Sequence, residues 1–572
     1  MRLTKHSKRF QRLLYPAVLI TFFGCTSEKI NYNHTPAWIE SDREHISVPK
    51  ENAENQLWDI IEHDGFYEIG KVLDIGWVSR KIGYNLGIVG SREADNLNSL
   101  DDNPNSTWFT HRHGKNRMSV EELMRGPNST DGPDSSGVIT IIKGKFEGVS
   151  IGFIIIDSKG DKYFLKFDGP GFYEMSTSAE VISTKFFHSA GYNVPENHIF
   201  YFKYSQLKIG PEAVVPTADK RERKMTMEDI EKMLSSQRRN SEGKIRSVAS
   251  KWLTGSPIGP FQFHGRRADD PNDSVDHEHR RELRGLRVLS SWLGDTDRRM
   301  ANTLDMYITD EKNRKYIKHY LIDMGSTLGS GWDHPHSPRN GNEYDFDFEN
   351  VAKAFLMLGM YEEPWDSLDS LNYTSIGMIE SEVFDPKSWV GMYPNPASEN
   401  MTYRDAYWGA KIVMNFSDED IEAIVKTGEI SDPEAAAYLT RILIERRDKV
   451  VSYWFSKINP LDEFKVSKDS SNNFIFTFTD MALKAGVAEK RNNRYTVRVK
   501  NEQDKSERVI NLVDASDFLL EKSVRANAKH PNYEIEIKTT RETSGASKKK
   551  VRIHVAYRER KNGYEVIAIE RD

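Results

Sequence analysis

Asp295-Thr-Asp-Arg-Arg-Met-Ala-Asn302 places an aspartate, Asp297, five positions before an asparagine, and Leu321-Ile-Asp-Met-Gly325 ends an apolar run on a second carboxylate, Asp323. That spacing fits a loop in which one carboxylate orients a hydroxyl while an amide oxygen and a neighbouring carboxylate hold Mg²⁺. Mg²⁺ takes few protein ligands and keeps waters and substrate phosphates, so two oxygen donors from adjacent loops are enough. Asp and Asn are also ordinary turn residues, so the pattern needs support from elsewhere in the chain.

Upstream, Gly137–Ile142, Ile151–Ile156 and Lys162–Phe167 read as three strands. Gly144, Gly148 and Gly152 lie between or beside the first two, where the lack of a side chain lets backbone approach phosphate closely. Lys166 alternates with Leu165 and Phe167 and therefore points to the other face of its strand. Residues Ser176 to Ala190 follow as a helix stopped by Gly191. Glu180 near its start has two readings: an ion pair with Lys166, or the distal member of a capping box, Thr177-Ser-Ala-Glu180. Glu174 is a further candidate partner for the lysine.

Downstream, Glu282 to Leu293 reads as a helix with Leu283, Leu286, Leu289 and Leu293 on one face, leading into the Asp297 loop. Asn302–Ile308 and Lys315–Ile322 read as a hairpin around Asp310-Glu-Lys-Asn313, which returns Asn302 and Asp323 to adjacent ends. Helical patterns continue from Phe348 to about Asn459, including Ala352 to Met360, Tyr403 to Met414, and a long helix opened by Asp432-Pro433. Trp365, Trp389, Trp408 and Trp454 read as packing residues there. From Phe464 the period changes to that of strands, with Asn562-Gly563 as a hairpin turn.

Gly294-Asp-Thr-Asp-Arg-Arg-Met-Ala-Asn302 resembles the Gly-Asn-Thr-Asp-Asp-His-x-x-Asn stretch of HipA-like kinases. Asp297-Arg-Arg with Ile322-Asp-Met-Gly325 is similar to the Asp-Arg-His-x-x-Asn and Ile-Asp-Phe-Gly motifs of phosphatidylinositol-kinase-like enzymes. The resemblance implies an α+β, two-lobed protein-kinase-like domain with a β-rich first lobe, a helical second lobe and ATP with Mg²⁺ between them; the strand period from Phe464 onward reads as a following β-sandwich-like C-terminal domain. The resemblance also implies that Lys166, paired with Glu180, contacts the α/β-phosphates, that Asp297 is the catalytic aspartate, and that Asn302 and Asp323 ligate the metal. The sequence departs from both families at Arg299, where they carry histidine, and at Met324 in place of phenylalanine. Arg298 and Arg299 either hold phosphate or pair with Asp295.

The corresponding division is a signal at 1–25, a polar tether and extension at 26–136, a first lobe at 137–203, an insertion at 204–280, a helical lobe at 281–462 and a β domain at 463–572. Ile199–Phe202 is the strand expected to lead to the hinge beside adenine.

The N-terminus carries Arg2, Lys5, Lys8, Arg9 and Arg12 before an apolar stretch from Leu13 to Gly24, the layout of an export signal. Cys25, the single cysteine of the 572 residues, follows at once, as in a bacterial lipoprotein signal. An uncleaved anchor or a chance apolar segment is the alternative. The expected address is the bacterial cell envelope, with Cys25 as the lipid attachment and the membrane reached through that anchor. ATP is scarce there, which leaves either another phosphoryl donor, an unusual encounter with nucleotide, or a site that only binds. A non-catalytic scaffold holding a protein or glycan partner is the competing reading.

A net charge of -6 with both signs intermixed provides no footprint for nucleic acid. His277/His279, His334/His336 and His111/His113 are two apart, which lacks the i, i+4 spacing of a helical zinc pair. There is no Gly-x-Ser-x-Gly elbow and, beyond Cys25, no cysteine nucleophile.

Overall fold

The computed structural model describes residues 30–51, 92–145, 151–216, 221–344, 363–369, 371–522, 530–541 and 545–572. Cys25 with the rest of 1–25, Gly148, and the expected helix 352–360 lie outside the described residues. The architecture is α+β, with several sheets and helices.

A short helix, α1 (Val120–Arg125), opens on the capping box of Ser119 and Glu122. Next come β1 (Ile139–Lys145), β2 (Gly152–Ile156), β3 (Lys162–Lys166), α2 (Met175–Ala190), β4 (Asn197–Lys203), β5 (Leu207–Pro216), β6 (Glu222–Lys224), α3 (Met227–Leu234) and β7 (Lys244–Lys251). The seven strands form one sheet in the order β4-β7-β3-β2-β1-β5-β6. Residues expected to form an insertion therefore complete this sheet, and β7 inserts between β3 and β4 by pairing Lys166 with Val248 and Ile199 with Val248. β4 is an edge strand; the chain leaves the sheet after β7, so the exit lies some fifty residues later than the strand expected to lead to the hinge. Tyr163, Leu165 and Phe167 pack with Ile230, Met233 and Leu234 of α3 in one apolar cluster, which leaves Lys166 on the opposite side.

After β8 (Ser256–Gly259) the chain enters α4 (Arg281–Leu293), then the hairpin β9 (Thr303–Thr309) and β10 (Lys315–Leu321), which pair in register from Thr303↔Leu321 to Thr309↔Lys315. Helices α5 (Tyr403–Met414), α6 (Asp418–Lys426) and α7 (Pro433–Phe455) follow, capped by Thr402, Ser417 and Asp432 respectively. Their apolar faces join those of α2 and α4 in the largest cluster, where Trp389, Trp408 and Trp454 are buried.

The C-terminal stretch supplies β11 (Leu461–Lys468), β12 (Phe474–Asp480), β13 (Arg494–Asn501), β14 (Glu507–Val513), β15 (Asp517–Glu521), β16 (Tyr533–Arg541), β17 (Gly545–Arg558) and β18 (Gly563–Arg571). They form a three-stranded sheet, β11-β12-β15, and a five-stranded sheet, β14-β13-β16-β17-β18. One apolar cluster draws on both sheets. Among the described residues, no helix is long and apolar enough to cross a membrane.

Candidate functional site

β3 presents Lys166 on the face covered by α2. Its ammonium lies 3.0 Å from Glu180 Oε2 and 2.8 Å from Asp323 Oδ1. Burial opposes a charge on Lys166, but the Asp323 and Glu180 carboxylates outweigh it and hold the lysine pKa above its ordinary value. The capping-box reading of Glu180 does not occur. Asp168 takes that role, accepting the Thr177 N–H at 2.8 Å, the Thr177 hydroxyl at 2.8 Å and the Glu174 N–H at 2.9 Å. Glu174 instead accepts from the Ser431 N–H. Glu180 is thereby free to turn inward, where Asn197 Nδ2 donates to its Oε1 at 3.0 Å and the Met324 N–H donates to the same oxygen at 3.1 Å.

Asp323 sits at φ 57°, ψ 70°, left-handed backbone that an aspartate adopts only when its neighbours hold it there. Two contacts do so: Glu180 on the Met324 N–H, and Arg298 Nη1 on the Ile322 carbonyl at 2.9 Å. Gly325 comes next, and a side chain there would meet Ser176 Oγ at 2.9 Å and Glu180 Oε2 at 3.2 Å.

The loop bearing Asp297 begins at Gly294, the left-handed stop of α4 at φ 61°. The Asn302 N–H donates to Arg299 O, and Asn302 Nδ2 donates to the Asp297 carbonyl at 2.6 Å, which fixes the side-chain amide. Ile322 N–H donates to Asn302 O at 3.0 Å, so the two candidate metal ligands stand on adjoining chain segments. Asp297 Oδ1 is buried and accepts no aligned hydrogen bond, although Arg299 Nε lies 3.0 Å away. Burial, helped by the nearby charge of Asp323, pushes the Asp297 carboxyl up to about 6 against the lowering effect of Arg299.

Both arginine questions have geometric answers. Arg298 pairs with Asp295, Nε to Oδ2 at 2.8 Å, and is buried. Arg299 faces Asp297 and lies over the Tyr393 ring, 4.8 Å from its centroid.

Gly144 lies on β1 opposite Phe153, and the next register row aligns Lys145, Gly152, Lys166 and Val248. Lys145 is thus level with Lys166 two strands away, and Gly152 is level with it on the adjacent strand. A cavity of about 40 Å³ behind the Asp297 loop, lined in part by Thr296, His336, Asn340 and Trp389, has room for roughly three waters. None of the candidate residues lines it. The histidine pairs serve elsewhere: His113 bonds the Asn415 carbonyl, His277 bonds the Gln262 carbonyl and Asp273, and His334 pairs with Asp333. Among the described residues, no group of three or more His, Cys, Asp or Glu is arranged to hold a metal.

Sequence reasoning missed Asp168 and Asn197, whereas it offered the pairing of Arg298 with Asp295 as one of two readings. Asp168 has a local signal, since an acid before a Gly-Pro-Gly turn and a helix can cap that helix. Asn197 has none, because its contact with Glu180 depends on the packing of β4 against α2.

No family model matches the chain, and no curated protein matches it. Among solved structures it is similar to the Golgi casein kinase at 10% identity and a TM-score of 0.27, over 59% of this chain and 77% of that chain. That is a weak likeness to a kinase-like fold and nothing finer.

Proposed function

We propose that this chain is an atypical kinase-like phosphotransferase, exported and lipid-anchored through Cys25, that takes a Mg-nucleotide between a β-rich lobe and a helical lobe. The observation that carries the reading is the position of Lys166, a third-strand lysine paired at 3.0 Å with a glutamate of the following helix and at 2.8 Å with Asp323. A lysine on the third strand, a glutamate on the next helix, and a metal-binding aspartate and asparagine are the parts that phosphoryl transfer uses.

The residues present fit such a ligand. Lys166 is the cation for the α/β-phosphates. Asn302 and Asp323 would hold Mg²⁺, with Asp323 half-exposed and so reachable by ligand. Bound Mg²⁺ would neutralise charge on the phosphates. Asp297 would accept the proton of the acceptor hydroxyl as the hydroxyl's oxygen bonds phosphorus and the bond from phosphorus to the leaving phosphate breaks. Glu180 orients Lys166 and, through the Met324 N–H, the backbone of Asp323. Gly144 lies on β1 one residue before the register row of Lys166, near where phosphate would be held.

Mg²⁺-dependent binding of a fluorescent ATP is the test: wild type binds and Asp323→Ala binds at least tenfold more weakly. Absence of binding in both would sink the reading. The competing proposal is a kinase-like scaffold that holds a protein or glycan partner, and the Arg299 guanidinium on the Asp297 carboxylate is what favours it. It requires that Asp297→Asn change nothing the protein does; a phosphorylated product lost in that variant excludes it. Acylated Cys25 found by mass spectrometry in an envelope fraction tests the anchor.

A further inference from the structure

Arg298 has five N–H donors, and each has an acceptor within the chain. Nε donates to Asp295 Oδ2 at 2.8 Å, and Nη2 donates to Asp295 Oδ1 at 3.3 Å and Met324 Sδ at 3.0 Å. Nη1 donates to the Asn302 carbonyl at 2.8 Å and the Ile322 carbonyl at 2.9 Å. The side chain is buried, with its guanidinium 5.7 Å from the centre of the Phe187 ring. No donor remains for a phosphate, so the residue does not bind substrate.

Its two Nη1 contacts go to backbone groups that set the site. One is the carbonyl of Asn302 itself, and the other belongs to the residue immediately before Asp323. A single planar nitrogen with two hydrogens at a fixed angle thus holds the chain segments of both candidate metal ligands at one separation. We infer that Arg298 is the positioning residue of the metal site, fixing the distance between Asn302 and Asp323. The inference rests on the function proposed above. A lysine keeps the charge and can still reach Asp295, but as a point charge it cannot reproduce the planar fork.

The experiment measures trinitrophenyl-ATP binding by the folded chain with and without Mg²⁺, in wild type, Arg298→Lys and Asp295→Asn. Arg541→Lys serves as a control, since Arg541 is an ion-paired arginine on β16 bonded to Asp480. Loss of a group that orients metal ligands costs roughly 10- to 100-fold in metal affinity. Arg298→Lys is therefore expected to raise the Mg²⁺ concentration for half-maximal binding at least about tenfold. Affinity without Mg²⁺, which depends on Lys166, stays within about threefold of wild type. Arg541→Lys changes neither quantity. Should Arg298→Lys fail to fold, Asp295→Asn carries the test, because it frees the other edge of the guanidinium; it is expected to shift the Mg²⁺ midpoint in the same direction. A wild-type Mg²⁺ midpoint in the folded variant overturns the inference and leaves the functional reading standing. Wild type that binds nucleotide identically with and without Mg²⁺ removes the metal site and the inference together.

Discussion

Helix α4 has a dense knot of charge at each end, and the two knots differ in kind. At its start, Arg280, Arg281 and Arg284 are almost wholly buried. Arg280 meets Glu40 at 3.1 Å and Glu282 at 3.2 Å, while Arg281 meets Asp101 at 2.8 Å and Asp405 at 3.1 Å, and Arg284 meets Asp405 at 3.3 Å. Arg571, the penultimate residue, reaches the same Asp101 at 3.1 Å. This knot ties the 30–51 segment, α4, α5 and the last strand together with solvent excluded. At the far end, the Asp297 loop and the segment after β10 deliver charges that are less completely covered: the side chains of Asp297 and Asp323 are 19% and 46% exposed. Buried pairs of the first kind hold a fold, whereas the half-exposed carboxylate of Asp323 beside Lys166 leaves room for a ligand.

Substitutions should separate the two ends, and the largest effect belongs to the closed one. Asp405 serves Arg281 and Arg284 and also caps α5 through the Thr402 N–H at 2.9 Å. Asp405→Ala removes the carboxylate paired with the buried Arg284 and one of the two paired with the buried Arg281, and is expected to cost about 3–5 kcal/mol in urea unfolding. A loss below about 1 kcal/mol would show that the buried knot is not what holds α4 to α5. Lys166→Met is the matching change at the open end. Glu180 keeps its Asn197 and Met324 donors and Asp323 keeps water, so the expected stability loss is only about 1–2 kcal/mol, with Mg-nucleotide binding abolished. Equal destabilisation by the two substitutions would erase the distinction between the knots.

What could be read from sequence followed the same division between local and distant causes. The bounds of α5, the Asp432-Pro433 start of α7 and the β9–β10 hairpin were all legible, because caps, prolines and turn residues act within a few positions. The seven-stranded sheet was not, since β7 finds its place between β3 and β4 through pairings across some fifty to eighty residues. At the site, residue types were legible and their directions were not. Whether Glu180 capped α2 or met Lys166 depended on Asp168 occupying the cap first.

The pH dependence of stability probes the open end directly. The folded-state pKa of Asp297 is raised to about 6, above an unfolded value near 4. The folded state therefore holds this proton more tightly, a contribution fully present below pH ~4 and lost as pH rises through ~6. Asp297→Asn removes the ionisation, so it should gain about 2–3 kcal/mol relative to wild type on going from pH ~4 to pH ~8. Thermal unfolding at both ends of that range measures it. A difference independent of pH would mean that the carboxyl titrates normally.

Arg299→Gln sharpens this last contrast with the smallest expected change. The guanidinium is about a quarter exposed, faces Asp297 at 3.0 Å and opposes the upward push of burial. Its removal should raise the Asp297 pKa further, by less than about one unit given partial screening by solvent. The fall in stability with pH would then move to higher pH in Arg299→Gln and vanish in the double variant with Asp297→Asn. Nucleotide affinity without Mg²⁺ provides the second axis. Arg299 lies over Tyr393 and is directed at a carboxylate, so that affinity should change little. A large loss there, with no movement of the pH profile, would make Arg299 a phosphate ligand and transfer it from the carboxylate's partner to the ligand's.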